Sequence, residues 1–234
     1  MQGQPLFSTF HKSTLFLLIV SLLHLSGAIL ESEVSRYLTK PLLMPILIFG
    51  FYFSLTKPLN RFSLFILVGL IFSWFGDLFL MFEGPLFFIS GLISFFITHI
   101  LYCIAFYQDW KNDISTTPVY KNPALLLPFL IFYGLLIYVL FPYLDEMLIP
   151  VLAYGFIITL MAVFALNRKG VSTSFSFTYI FIGSILFIIS DTIIAVNKFY
   201  TDVYLSEFFI MLTYISAQFF IVSGSLRQKQ TIKL

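Results

Sequence analysis

Eight long apolar runs decide the solvent of this chain. They cover residues 13–30, 40–55, 62–82, 86–107, 124–141, 148–166, 175–195 and 205–226. Most approach the length of about 20 residues that a helix needs to cross a hydrocarbon layer. Only 10% of the 234 residues are charged and 59% are apolar, whereas soluble domains carry roughly 25% charged residues. A surface this poor in charge does not stay dispersed in water. A transmembrane β-barrel shows alternating segments of about 10 residues, and these runs are continuous. The sequence therefore predicts an all-α, polytopic integral membrane bundle of about eight transmembrane helices, with residues 1–234 forming a single transmembrane domain. The longest connection, 108–123, leaves no room for a soluble domain. The 13–30 run ends near Ser26-Gly27-Ala28, a small-residue cleavage pattern, but it is too long for a signal peptide and is expected to stay as a helix. The 40–55 run holds Pro41 and Pro45. It is expected to be tilted, broken or partly re-entrant unless neighbours satisfy the freed carbonyls.

Positive charge is unevenly placed. With eight crossings both ends of the chain share one side. That side collects Lys12, Lys57, Arg61, Lys111, Lys121, Arg168, Lys169, Arg227, Lys229 and Lys233, against Arg36, Lys40 and Lys198 on the other. Ten against three predicts cytoplasmic termini. The net charge of +2 is too small for a nucleic-acid partner. One cysteine, Cys103, allows neither a disulfide within the chain nor a cysteine-based zinc site. His11, His24 and His99 lack metal-ligand spacing, and neither a nucleophile elbow nor a phosphate-cradling glycine loop is present. No metal and no cofactor are expected. His24 reads as a structural residue.

Function in such a chain is carried by the ionisable groups inside the apolar runs, because each is costly there. Asp77 follows Ser73-Trp74-Phe75-Gly76, and Asp191 follows Ile188-Ile189-Ser190. Each lies four or five residues before the end of an odd-numbered run, which puts both carboxyls at similar depth toward the non-cytoplasmic side. The two surroundings echo each other faintly at an offset of 114 residues, which would make an internal repeat parallel. His99 and Tyr102 share one helix face, as do Tyr214 and Gln218. Asn197 and Lys198 close the seventh run. A Gly-Asp dipeptide and the Pro123-Ala124-Leu125 tripeptide also occur in intramembrane aspartyl proteases, but here the tripeptide falls between the two acids and not after the second.

Read in order, these stretches resemble the YhhN-like lysoplasmalogenase family of eight-helix membrane proteins. The matching residues are Lys40-Pro41-Leu42-Leu43-Met44-Pro45, then Phe72 to Leu80 around Asp77, then Gly91-Leu92 with Phe96 and His99-Ile100-Leu101-Tyr102, then Ser190-Asp191-Thr192 with Asn197-Lys198-Phe199, and Thr213-Tyr214 with Ala217-Gln218. The resemblance implies cleavage of the vinyl ether bond of lysoplasmalogens to a fatty aldehyde and glycerophosphoethanolamine or glycerophosphocholine, with a lysophospholipid substrate and membrane lipid as partners. The implied home is an inner membrane in a bacterium or an endoplasmic-reticulum-type membrane in a eukaryote.

The residues fit that chemistry. A vinyl ether hydrolyses by protonation at its β-carbon, and water then attacks the resulting oxocarbenium ion. Two carboxyls in unequal environments supply an acid and a cation-stabilising base, as in glycosidases. Asp77 and Asp191 are the expected pair, facing one cavity. Lys40, His99, Tyr102, Asn197, Lys198, Tyr214 and Gln218 are expected to bind substrate or support the pair, with Lys198 on the head-group phosphate. The competing reading is a proton-coupled transporter or lipid flippase using the same buried acids.

Overall fold

The computed structural model describes residues 4–55, 58–111 and 121–228, with side chains from residue 10 onward. Lys57, Lys229 and Lys233 of the charge tally lie outside these residues. Among the described residues the chain forms eight α-helices and no strand: α1 Gln4–Ile29, α2 Glu33–Ser54, α3 Arg61–Phe79, α4 Pro85–Lys111, α5 Leu127–Leu140, α6 Leu148–Asn167, α7 Ser174–Phe199 and α8 Ser206–Ser225. Each contains or lies within a span long and apolar enough to cross a membrane, Phe10–Ile29 in the case of α1. The α5 segment reaches that length through the 3₁₀ turns Pro123–Leu125 and Phe141–Tyr143 at its ends.

Three antiparallel hairpins, α1–α2, α3–α4 and α7–α8, supply the closest packing. Contacts of α2 with α3, α4 with α6 and α6 with α7 join them, and α1 closes back onto α8. In lipid there is little hydrophobic drive between helices, so close approach depends on small residues. Gly183 of α7 shows this: a Cβ there would sit 2.8 Å from the Ala217 carbonyl oxygen of α8. The helices differ sharply in burial. More than half of the α8 span is inside the bundle, at 56%, against 6% for α5, which rests on α6 and α7 from outside. Side chains that face outward, such as Leu15, Phe16, Ile131 and Leu135, meet lipid and need no protein partner.

The two prolines do not break α2, which runs unbroken from Glu33 to Ser54. Pro45 has no N–H, so it leaves the Pro41 carbonyl without its helical partner. The Trp74 indole N–H of α3 donates to that carbonyl at 3.0 Å. The proline thus becomes an inter-helix tie one turn before Asp77.

Polar ties close both ends of the bundle. At one end Arg36 meets Glu207 at 3.0 Å, joining α2 to the start of α8. At the other end Arg168 is fully buried, pairs with Asp109 at 2.8 Å and donates to Ser176 Oγ at 2.9 Å. Its guanidinium also lies over the rings of Phe62 and Phe106. Arg168 therefore acts as an internal brace between α4 and α7, and of the tallied positive charges it is one that never meets the membrane surface.

Candidate active site

The two acids end up in different surroundings. Asp77 lies two residues before the end of α3 at Phe79, whereas Asp191 lies eight residues before the end of α7 at Phe199. The seventh helix runs further than its apolar run predicts, because Ala195 to Phe199 continue without a breaker. The sequence-based expectation of matched positions is thus replaced by one shallow and one deeper acid relative to their own helix ends.

Asp77 is 2% exposed. Its Oδ2 accepts a hydrogen bond of 2.8 Å from the Tyr214 hydroxyl of α8. Gly76 lets the α4 ring of Phe95 press against α3 here, since a Cβ would lie 2.6 Å from that ring. One turn back, a fully buried chain runs between three helices. The Tyr102 hydroxyl donates to Gln218 Oε1 at 2.8 Å, Gln218 Nε2 donates to Ser73 Oγ at 2.8 Å, and Ser73 donates to Thr98 Oγ1 at 3.1 Å. Thr98 Oγ1 in turn has its one proton within reach of the backbone carbonyls of Gly69, at 3.0 Å, and Ser94, at 3.2 Å. Every side-chain donor in this chain has an acceptor, which makes it a rigid polar seam.

Asp191 sits at the edge of a cleft. Its Oδ2 accepts from the Tyr154 hydroxyl of α6 and lies 3.3 Å from His99 Nε2 of α4. The same His99 nitrogen is 3.1 Å from the Tyr154 oxygen. Tyr154 has one proton and spends it on Asp191, so its oxygen can only accept. The network therefore places the His99 proton on Nε2, shared between Tyr154 and Asp191. His99 Nδ1 is buried without a partner. The cleft has a volume of about 50 Å³ and lies between α4, α6 and α7, capped by Leu80 at the end of α3. Apart from Asp191 and Tyr154, its walls are apolar, with Phe88, Phe95 and Phe199 prominent. That volume holds on the order of three water-sized groups. A larger groove of about 260 Å³ between α1 and α8 carries no ionisable side chain and offers no comparable chemistry.

Asp77 does not line the cleft. Ring contacts link the surroundings of the two acids: Phe187 packs edge-on against both His99 and Tyr214, at 4.7 and 5.5 Å between centroids, and Phe95 packs against Tyr214 at 5.7 Å. The two acids nevertheless remain within electrostatic range of each other, and Lys40 of α2 lies within range of Asp77.

The remaining sequence-predicted residues divide. His99 and Tyr102, three apart on α4, serve different networks, the first reaching Asp191 and the second Gln218. Tyr214 and Gln218 of α8 both join the Asp77 side. Asn197 is engaged elsewhere: its Oδ1 accepts from the backbone N–H of Val203 at 2.9 Å, bracing the connection to α8 near Leu205, whose φ is 52°. Lys198 is exposed, with its ammonium 5.1 Å from the centroid of the Phe88 ring, so it stands at the rim of the cleft. Tyr154 is the residue that sequence reasoning missed. It is one of 13 tyrosines beside 31 phenylalanines, and nothing in its spacing sets it apart from packing residues.

Comparison with known proteins places this geometry. The YhhN family model matches residues 35–225, which include every helix that carries the two networks. The chain belongs to the YhhN family. It is 32% identical over 192 residues to lysoplasmalogenase TMEM86A of Bos taurus, covering 80% of this chain and 75% of that one. The human TMEM86A lysoplasmalogenase is 30% identical over 172 residues, 72% of this chain and 68% of its own. Human lysoplasmalogenase TMEM86B is 26% identical over 198 residues, 84% and 79%. No solved structure matches the chain. The acids, His99, Tyr102, Tyr154, Tyr214 and Gln218 all fall inside the matched region of this YhhN protein.

Proposed function

We propose that this YhhN protein is a membrane-embedded hydrolase that cleaves the vinyl ether bond of lysoplasmalogens, releasing a fatty aldehyde and a glycerophospho head group. The observation that carries the reading is the Asp191 carboxyl at the edge of an apolar cleft, held by Tyr154 and His99, in a chain similar to proteins named lysoplasmalogenases.

Neutral Asp191, with its proton on Oδ1, the oxygen that Tyr154 and His99 leave free, transfers that proton to the β-carbon of the R–O–CH=CH–R′ unit. The carbon–carbon π electrons form the new C–H bond, and the positive charge appears as an oxocarbenium ion at the carbon bearing oxygen. The carboxylate left behind faces that cation. Tyr154 and His99 already donate to its Oδ2, so the charge is met without reorganisation. Water then adds to the cationic carbon and gives its proton to Asp191. The hemiacetal collapses to the aldehyde and the glycerol hydroxyl, and one water is consumed. Asp77 is the second carboxyl of the pair, acting on the site through its charge and through Tyr214 without touching the reacting atoms. The cleft accommodates the reacting end of the chain and a water. Admission of a whole alkenyl chain requires the phenylalanine walls to turn.

The test is aldehyde release from lysoplasmalogen by purified protein in detergent, alongside the saturated alkyl-ether analogue. The vinyl ether is cleaved and the analogue is not, because it lacks the π electrons that accept the proton. A carrier releases no aldehyde in detergent, so its absence with folded protein overturns the hydrolase reading.

A further inference from the structure

A second polar cluster, joining α1, α2 and α8, has hydrogen-bonding needs that the protein leaves open. It comprises His24 of α1, Arg36 and Lys40 of α2 and Glu207 of α8. His24 is fully buried, and its Nδ1 lies 2.8 Å from Thr39 Oγ1. Thr39 gives its only proton to the Ser35 carbonyl at 2.6 Å. Its oxygen can therefore only accept from the ring, and Nδ1 must be the protonated nitrogen. In the neutral ring Nε2 then carries a lone pair. That nitrogen has no hydrogen-bond partner and faces Glu207 Oε1 at 3.8 Å. With the ring neutral, two acceptors face each other there with no donor between them.

The donors show the opposite deficit. Arg36 uses Nη2 on Glu207 Oε2 at 3.0 Å, while its buried Nε has no acceptor. Lys40, half-buried one helical turn beyond Arg36, forms no ion pair among the described residues. It lies within charge range of both His24 and Asp77. The cluster sets Arg36 and Lys40 against Glu207, with the Asp77 carboxyl also within charge range of Lys40, and leaves Arg36 Nε and His24 Nε2 without hydrogen-bond partners.

We infer that His24, Arg36, Lys40 and Glu207 form a head-group site for a phosphoethanolamine zwitterion. A primary ammonium placed between His24 Nε2 and Glu207 Oε1 can reach both within hydrogen-bonding distance, because a span of 3.8 Å is bridged by two bonds of about 2.9 Å. The phosphodiester oxygens answer Arg36 Nε and Lys40 Nζ. A trimethylated ammonium has no N–H to offer the two acceptors, so the site favours ethanolamine over choline. The ligand is either the lysolipid substrate or a two-chain membrane phospholipid of the same head group. The inference rests on the lysophospholipid reading only in the first of these sources.

The test measures binding, separately from turnover, on the purified full-length protein. The ligands are saturated alkyl-ether lysolipids with ethanolamine or choline head groups. Two-chain phosphatidylethanolamine and phosphatidylcholine, offered to protein reconstituted in nanodiscs, are the second arm. The wild type binds the ethanolamine lysolipid about tenfold or more tightly than the choline one, the scale of one charged hydrogen bond. Glu207→Gln removes that ratio, and an unchanged thermal denaturation profile in detergent certifies the fold. Lys40→Met weakens both head groups alike. A preference seen only with the two-chain lipids assigns the site to membrane lipid. Equal affinities in the wild type, a ratio that survives Glu207→Gln, or no binding of any of these lipids each overturns the inference. Aldehyde release by the same preparation reports on the hydrolase reading independently. If Glu207→Gln does not fold, His24→Gln replaces it, with the same loss of ratio expected.

Discussion

Two carboxyls in one bundle, both costly to bury, are used in opposite ways. Asp77 is enclosed where α3 meets α8 with one tyrosine donor, itself packed against Phe95 and Phe187, and is flanked by a satisfied seam from Tyr102 to Thr98. Asp191 has a tyrosine and a histidine on one oxygen and an apolar cleft beside it. The Asp77 region resembles a structural joint. The Asp191 region has the features of a reacting centre: a group oriented by neighbours, with room beside it for another molecule. Similar residue chemistry at superficially equivalent positions has thus diverged through what surrounds it.

The sharpest way to break this contrast is to remove each acid in turn. Asp191→Asn is expected to lower kcat by about 10²–10⁴-fold, the range of a lost general acid. Asp77→Asn is expected to lower it by about tenfold, since only a charge at a distance is lost. Aldehyde assays on expression-matched variants decide, and equal losses would erase the distinction between the two regions.

Next come the tyrosines. Tyr154→Phe removes the donor to Asp191 and is expected to reduce kcat by about tenfold, in keeping with the value of a hydrogen bond to a charged group, with little change in the melting temperature in detergent. Tyr214→Phe should do the reverse. It leaves a buried carboxyl without its donor, at a cost of about 1–3 kcal/mol of stability, and spares most of the turnover. Thermal denaturation and kinetics on both variants test the exchange of roles. If both changes act mainly on kcat, Asp77 is as close to the chemistry as Asp191.

Smaller still, Tyr102→Phe is expected to destabilise the fold by about 1–3 kcal/mol, because Gln218 Oε1 loses its donor inside the bundle, while KM stays the same. Lys198→Met, at the exposed rim, should change KM by no more than a few-fold, since an exposed lysine contributes little energy. Steady-state kinetics in mixed micelles measure both.

The helices were legible in the sequence because lipid demands one apolar run per crossing, and eight such runs leave little choice. The two acids were legible for the same reason: a charge inside such a run stands out. Their partners were less so. His99 could be singled out as a titratable group in α4, but its bond to Asp191 joins helices 92 residues apart in sequence, and no local spacing encodes that. Tyr154 was hidden among many aromatic residues whose usual task is packing. Asn197 and Lys198 were read with the site because they follow Asp191 on one helix. The packing instead turns Asn197 toward the α7–α8 connection and leaves Lys198 at the surface over Phe88. The similar placing of the two acids on α3 and α7 was visible as a symmetry of sequence, yet their tyrosines come from α8 and α6, a difference set by helix packing alone.

The central claim is that Asp191 hands a proton to carbon. It is tested most directly by running aldehyde release in D₂O with wild type and Asp191→Asn, following both rate and the deuterium content of the aldehyde at the carbon next to the carbonyl. The wild type should turn over more slowly in D₂O and deliver one solvent deuteron to that carbon. Asp191→Asn should bind the saturated analogue as well as the wild type does and produce almost no aldehyde. Near-wild-type production of deuterated aldehyde by the folded Asp191→Asn protein would contradict the account.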